Sequence, residues 1–213
     1  MIKKNLKILV ITSIVTVLPM LVGIILWNKL PDQIPVHWNV TGEIDGWSSK
    51  PFAVFGIPLM MVAFQWICGL ALSADPKRSN HGPKLVQLSL WIIPVISIIL
   101  SAITYTAAMG NGIKVEFILP LSMGLLFAIL GNYLPKCKQN YTVGIKLPWT
   151  LNSEENWNKT HRLAGWVWMI GGIAIMLLGF LGGALTVWIL MGITAVMALV
   201  PVVYSYVLYK KGI

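Results

Sequence analysis

The sequence predicts an all-α, polytopic membrane protein: a bundle of six transmembrane helices, with a small ordered extracellular loop and an ordered cytoplasmic loop. Three observations predict it. The 213 residues are 57% hydrophobic and 11% charged, with a mean hydropathy of +0.78, whereas soluble domains carry about 25% charged residues. Six apolar runs recur along the chain, each near the ~20 residues that a spanning helix needs. Lys and Arg gather in alternate connections: thirteen lie on one side and three, Lys29, Lys50 and Lys114, on the other. By the positive-inside rule both termini are then cytoplasmic, as an even number of spans requires.

The first span is read at Ile8–Trp27. It is too long for a signal-peptide core, and WNKLPDQ after it offers no small-residue cleavage site, so it is read as a retained helix. The second span covers Phe52–Ser73 and the third Leu85–Met109. The fourth runs over Phe117–Leu134, the fifth over Leu163–Leu181 and the sixth over Leu185–Tyr209. The chain divides into an N-terminal module, residues 1–73, with two spans and an outer loop at 28–51. A linker loop and the third span follow at 74–116. The last module, 117–213, holds spans four to six and an inner loop at 135–162. Other outer turns are short, near Gly110–Glu116 and Gly182–Ala184.

The spans carry no ionisable residue near their middles, which argues against proton pumps and ion-coupled carriers. Gln65 is the most polar residue well inside a span, and its expected role is an interhelical hydrogen bond. Ser97, Ser101 and Thr104 share one face of the third helix, suited to packing or, alternatively, to a substrate groove of a small-molecule or lipid transporter or a lipid-modifying enzyme. Gly165, Gly172 and Gly179 recur every seven residues and form a close-packing seam, within the monomer or between protomers.

The formal net charge is +9. Because the cations sit between apolar runs, they read as topogenic charge and as contacts to anionic membrane lipids, with no direct nucleic-acid binding. Cys68 and Cys137 are not expected to pair. No phosphate loop, HExxH or G-x-S-x-G motif is present. Glu154 and Glu155 are followed by Lys159 rather than Arg, so a membrane-protease motif is incomplete. No catalytic residue, metal or cofactor is expected, and the chain is read as a non-enzyme.

Two polar segments hold the remaining chemistry. In IPVHWNVTGEIDGW, VHWNV alternates like a short strand, and Gly42 and Gly46 permit turns. Asp32, Glu43 and Asp45 make this outer loop acidic. A metal held by His37 with Glu43 or Asp45 matches no strong spacing. An ordered cap resting its Trp residues on the membrane is the expected form. In the inner loop, Tyr141–Leu147 reads as a turn or small hairpin. Asn152 is placed to cap a helix, with Glu155 completing a capping box, and Glu155 and Lys159 form an i, i+4 pair. That helix runs unbroken into the fifth span. Trp157, His161, Ala164 and Trp168 share a stripe, read as an interfacial belt or as a docking face for a cytoplasmic partner.

These two segments resemble the SdpI family, bacterial immunity proteins against a sporulation-delaying toxin. LPDQIPVHWNVTGEIDGWSSK is similar to the family's first module and GNYLPKCKQNYTVGIKLPWTLNSEENWNKTHRLAG to its second. The resemblance implies a cell-membrane protein that protects the producer from a membrane-acting peptide toxin. It also implies a toxin receptor that holds an ArsR-like, helix-turn-helix autorepressor at the membrane. Carried onto this chain, the toxin-facing candidates are His37, Trp38, Asn39, Gly42, Asp45 and Gly46, joined by Glu43 of the same acidic loop. The candidates for repressor docking or for a structural core are Asn132, Tyr133, Asn140, Gly144, Lys146, Pro148, Trp149, Thr150, Trp157, Thr160, His161 and Arg162.

Overall fold

A computed structural model describes residues 2–111 and 114–213. Among these, six helices are long and apolar enough to cross a membrane: Asn5–Ile25, Phe52–Ala74, Pro83–Ala108, Val115–Lys136, Glu154–Leu178 and Leu185–Lys210. The chain is a multi-pass, all-α membrane protein. Its elements are α1 (Ile2–Ile25), β1 (Gln33–Trp38), β2 (Ile44–Ser49), α2 (Ile57–Ala74), α3 (Pro83–Ala108), α4 (Val115–Tyr133), α5 (Pro148–Asn152), α6 (Glu154–Leu178) and α7 (Ala184–Lys210). A π-helical turn, Phe52–Gly56, leads into α2. The turn expected at Gly110–Glu116 lies partly outside the described residues.

The chain folds as two compact units, Met1–Ala74 with Val86–Lys114, and Asp75–Leu85 with Val115–Ile213. In the first, α1, α2 and α3 are joined by a polar seam centred on Gln65, whose side chain is fully buried. Thr16 donates its hydroxyl to Gln65 Oε1 at 2.9 Å, and Gln65 Nε2 donates to the Thr12 hydroxyl and, at 3.4 Å, to the Leu90 carbonyl. The Ser97 hydroxyl donates to the Thr16 carbonyl at 2.8 Å, so the serine face of α3 packs on α1 at this level. Both threonines also bond the preceding turn of their own helix. Gln65→Leu therefore strands few groups, and we expect a loss of about 1 kcal/mol, read as a small drop in thermal midpoint of purified protein in detergent.

At the far end of this unit, Leu30, Ile34, Ala53, Val54 and Tyr105 form a buried apolar cluster. Proline at 31 and 35 keeps the chain extended where it leaves α1, and Ile34 becomes the plug that ties the hairpin to the helices. The sequence predicts one short strand here. The structure pairs it with a second, β2, in an antiparallel hairpin with bulges between Pro35 and His37 and between His37 and Trp38. The second strand, IDGWSS, escapes a period-2 reading because a bulge interrupts its alternation.

In the second unit the seam of small residues lies inside the monomer. A Cβ on Gly172 would lie 2.5 Å from the Gly124 carbonyl oxygen, and one on Gly131 2.8 Å from that of Gly165. α4 and α6 thus run antiparallel with backbones in contact, and only glycine fits at the crossings. Phe127 and Trp168 meet edge to face beside them, at 5.5 Å.

In the 135–162 segment residues 141–144 form bends and no strands pair, so of the expected turn or small hairpin the turn is what forms, and the helix cap differs from expectation. The cap of α6 is Ser153, whose side chain accepts from the Asn156 amide at 3.2 Å, while Asn152 closes the separate short helix α5. Pro148 starts α5, where the Thr150 hydroxyl accepts the Leu147 amide at 2.9 Å, and the break before α6 is Ser153, extended at φ −133° and ψ 118°. Glu155 and Lys159 pair at 2.7 Å, one turn apart.

Candidate functional site

The hairpin is organised by Asn39 at its tip. Its side-chain oxygen accepts the Thr41 amide at 2.9 Å, the Thr41 hydroxyl at 2.6 Å and the Glu43 amide at 3.0 Å. Gly42, with φ of 83°, turns the chain where an L side chain would be strained. His37 Nδ1 lies 2.5 Å from Asp45 Oδ1, both side chains substantially exposed. Gly46 opens the space for this pair, since a Cβ there would sit 2.7 Å from that of His37. Trp38 is half-buried, and Glu43 is exposed and accepts from the Asn39 side-chain amide at 3.3 Å. The seven candidate residues of this loop therefore form one constellation: an Asn-closed tip and an exposed His–Asp pair. Among the described residues no three His, Cys, Asp or Glu side chains converge as a metal would require.

The base of the hairpin is held by Lys50. Its Nζ donates to the Trp27 carbonyl at 3.3 Å, lies 3.3 Å from Asp32 and stands 5.3 Å from the centre of the Trp27 ring.

In the 135–162 segment the candidates sort by burial. Trp157, Thr160, His161, Asn140 and Thr150 are fully or almost fully buried. Of the stripe of Trp157, His161, Ala164 and Trp168, the first three are thus interior, neither a lipid belt nor an open face, and Trp168 is half-buried, its indole donating to the Met197 carbonyl at 3.0 Å; polarity and helical spacing alone do not separate these cases. Ile145 donates its amide to His161 Nε2 at 3.0 Å, so the ring proton is on Nδ1, which donates to the Trp157 carbonyl at 2.8 Å. The His161 ring stacks on Trp157 with centroids 4.0 Å apart. Gly144, at φ +118°, lies flat against both rings; a Cβ there would be 2.5 Å from His161 Nε2.

Asn140 closes the loop from the other side. Its amide nitrogen donates to the Lys138 and Val143 carbonyls at 2.8 and 2.9 Å, and its oxygen accepts the Thr142 and Val143 amides. The Trp157 indole donates to the Cys137 carbonyl at 2.7 Å. Burial, partly offset by the Asn140 amide, pushes the Cys137 thiol up to about 11, so it stays protonated and unreactive at neutral pH. Both cysteines are free. Trp149 stacks on Tyr209 and meets Tyr206 edge to face, beside an open cleft also lined by Pro148 and Asn152. Asn132, Lys146, Pro148 and Arg162 are exposed, and Tyr133 is half-buried under the Lys136 ammonium.

Several organising residues were not anticipated. Asp75 is buried and accepts four hydrogen bonds: the Lys77 amide at 2.7 Å, the Tyr141 amide at 2.9 Å, the Thr142 hydroxyl at 2.6 Å and His81 Nε2 at 3.1 Å. Asn80 donates to the Gln139 carbonyl at 2.7 Å, and the Lys77 ammonium bonds the Gln139 side chain. The 75–85 connection is thereby latched onto residues 139–142. Burial acts to raise the Asp75 carboxyl, but the Thr142 hydroxyl, the two amides and His81 outweigh it and hold it below the usual carboxylate range. Asn156 binds α6 to α7 through the Ser205 hydroxyl and carbonyl, at 2.9 and 3.0 Å. One signal pointed to Asp75: it is the lone acid in a connection, ADPKRSNHGPK, that is otherwise basic.

Comparison with known proteins bears on both segments. Residues 136–205 match the SdpI/YfhL protein family, and residues 14–62 match a domain of unknown function, DUF1648. The protein named Immunity protein SdpI of Bacillus subtilis (strain 168) is 29% identical over 211 residues, covering 98% of this chain and 97% of that protein. No solved structure matches.

Proposed function

We propose that this chain, similar to the SdpI/YfhL family over residues 136–205 and to Immunity protein SdpI along nearly its whole length, is an integral membrane immunity protein that protects its producer from a membrane-acting peptide toxin. The observation that carries this reading is similarity along nearly the whole chain, 98% of it, to a protein named for immunity. Charge supports an orientation with both termini in the cytoplasm. The acidic hairpin then faces outward and meets the toxin, through His37, Asn39, Glu43 and Asp45. The 135–162 segment faces inward, and its exposed Lys146, Arg162, Glu154 and Glu155 are the groups available to a repressor. The buried Trp157–His161 stack gives that surface its shape. The protein acts by binding, not by catalysis.

The test is growth. Expressed in a bacterium sensitive to the peptide toxin of its own genome, the wild-type protein restores growth under toxin. The double variant His37→Ala, Asp45→Ala reaches the same level in the membrane and protects about tenfold less, the equivalent of one or two lost polar contacts. Well-expressed wild type that gives no protection would sink the reading.

A further inference from the structure

We propose that the free edge of β2 is a docking edge, on which one extended segment of a cationic, partly apolar peptide adds as a third strand. This rests on the immunity reading and states how the toxin is held.

The Lys50 amide donates to the Asp32 carbonyl at 2.9 Å. An antiparallel ladder alternates bonded and non-bonded pairs. With Gln33 opposite Ser49, Ile34 opposite Ser48 and Pro35 opposite Trp47, the 33/49 and 35/47 pairs are the non-bonded ones. Their main-chain groups point away from the hairpin. Pro35 sits at such a place, where its missing N–H costs no ladder bond.

The two edges are unequal. On β1, Pro35 offers no donor, and Ile34 and Pro35 are buried. On β2, Trp47 retains an outward N–H and C=O and Ser49 an outward N–H, the Ser49 carbonyl serving the helical turn that begins at Lys50; both residues are exposed and stand two residues apart, the repeat at which an added strand forms its bonds. Natural edges are protected by charged side chains, Pro or bulges; the 47–49 part of β2, where the register is regular, contains none of these. The occupant's chemistry follows from the surroundings. Asp32, Glu43 and Asp45 are exposed in this loop, against one exposed lysine, Lys29; Lys50 is largely buried on Trp27, where it pairs with Asp32, and Asp45 pairs with His37. The exposed charge is thus on balance acidic and favours a cationic segment. The Trp47 ring, 56% exposed beside the edge, offers an apolar contact and a cation–π face.

The experiment uses the full chain in lipid nanodiscs and a synthetic copy of the peptide toxin encoded in the same genome. Adding the peptide slows amide exchange at Trp47 and Ser49 by about tenfold or more, leaving the already bonded Ser48 amide unchanged. Ser49→Pro, which deletes one outward N–H, weakens peptide binding about tenfold; Ser49→Ala binds as wild type. If Ser49→Pro does not fold, the exchange measurement on wild type decides alone. The proposal is overturned if the peptide binds without slowing exchange at Trp47 and Ser49. It is equally overturned if those amides are protected before peptide is added, because lipid or a second copy then covers the edge. Wild type that neither binds the peptide nor protects cells overturns the immunity reading itself, and this proposal with it.

Discussion

Gly172→Leu is expected to abolish the folded C-terminal unit. A Cβ at Gly172 would stand 2.5 Å from both the Ala128 amide nitrogen and the Gly124 carbonyl oxygen. Both are backbone atoms of α4, so no side-chain rotation relieves the clash. The helices must separate, and the paired contacts at Gly131 and Gly165 are lost with them. We expect a destabilisation above about 4 kcal/mol, seen as loss of protein from the membrane fraction and of a cooperative melt in detergent. Gly192→Leu is the control. It lies on α7 with nothing within 4 Å of an added Cβ, and its melting point should match wild type. A tolerated Gly172→Leu would disprove the backbone contact between α4 and α6.

Asp75→Ala is expected to release residues 139–142 while the spans stay folded. The substitution leaves the Tyr141 amide, the Lys77 amide, the Thr142 hydroxyl and His81 without their shared acceptor. His81 Nδ1 already lacks a partner in its buried position. Losing a buried carboxylate that satisfies several donors costs about 3 kcal/mol locally. The readouts are faster amide exchange at Tyr141 and Thr142, and new protease cleavage between Lys138 and Lys146. The pH dependence has a definite sign. The folded carboxyl titrates below its ordinary range, so its contribution is fully present above about pH 4. It is lost as the pH falls through the lower folded value, and wild type should come to resemble Asp75→Ala only in that acidic window. At neutral pH, Asp75→Asn should lie between the two, since an amide oxygen still accepts but no longer carries charge.

Different residues show how far the sequence could be read. The spans were legible because lipid imposes a strong, local requirement, some twenty apolar residues with no charge. Gln65 was legible as an interhelical hydrogen bond for a related reason, since a lone amide in hydrocarbon needs a partner. His37 and Asp45 were singled out from an acidic, Gly-punctuated loop, but their contact depends on a bulge and on Gly46, which no pattern announces. The 157/161/164 stripe was found by helical spacing, yet spacing names a face and not what covers it. What covers Trp157 and His161 is the chain's own segment 137–145. Asn152 and Ser153 are both good caps, and only the break after α5 selects Ser153.

By itself, the sequence determined the number of spans, their apolar faces, the alternation of charge between connections and the two segments that carry polar chemistry. These follow from composition within one stretch of chain and from the solvent it must meet. The tertiary structure alone decided which polar residues are interior and which are surface. It gave β1 a partner strand, turned Trp157 and His161 inward, placed Asp75 and Thr142 at hydrogen-bonding distance across 67 residues and put the glycine seam between α4 and α6. Each of these needs two distant segments to meet. A buried hydrogen bond or a backbone contact is a property of both partners, and neither segment's pattern contains the other.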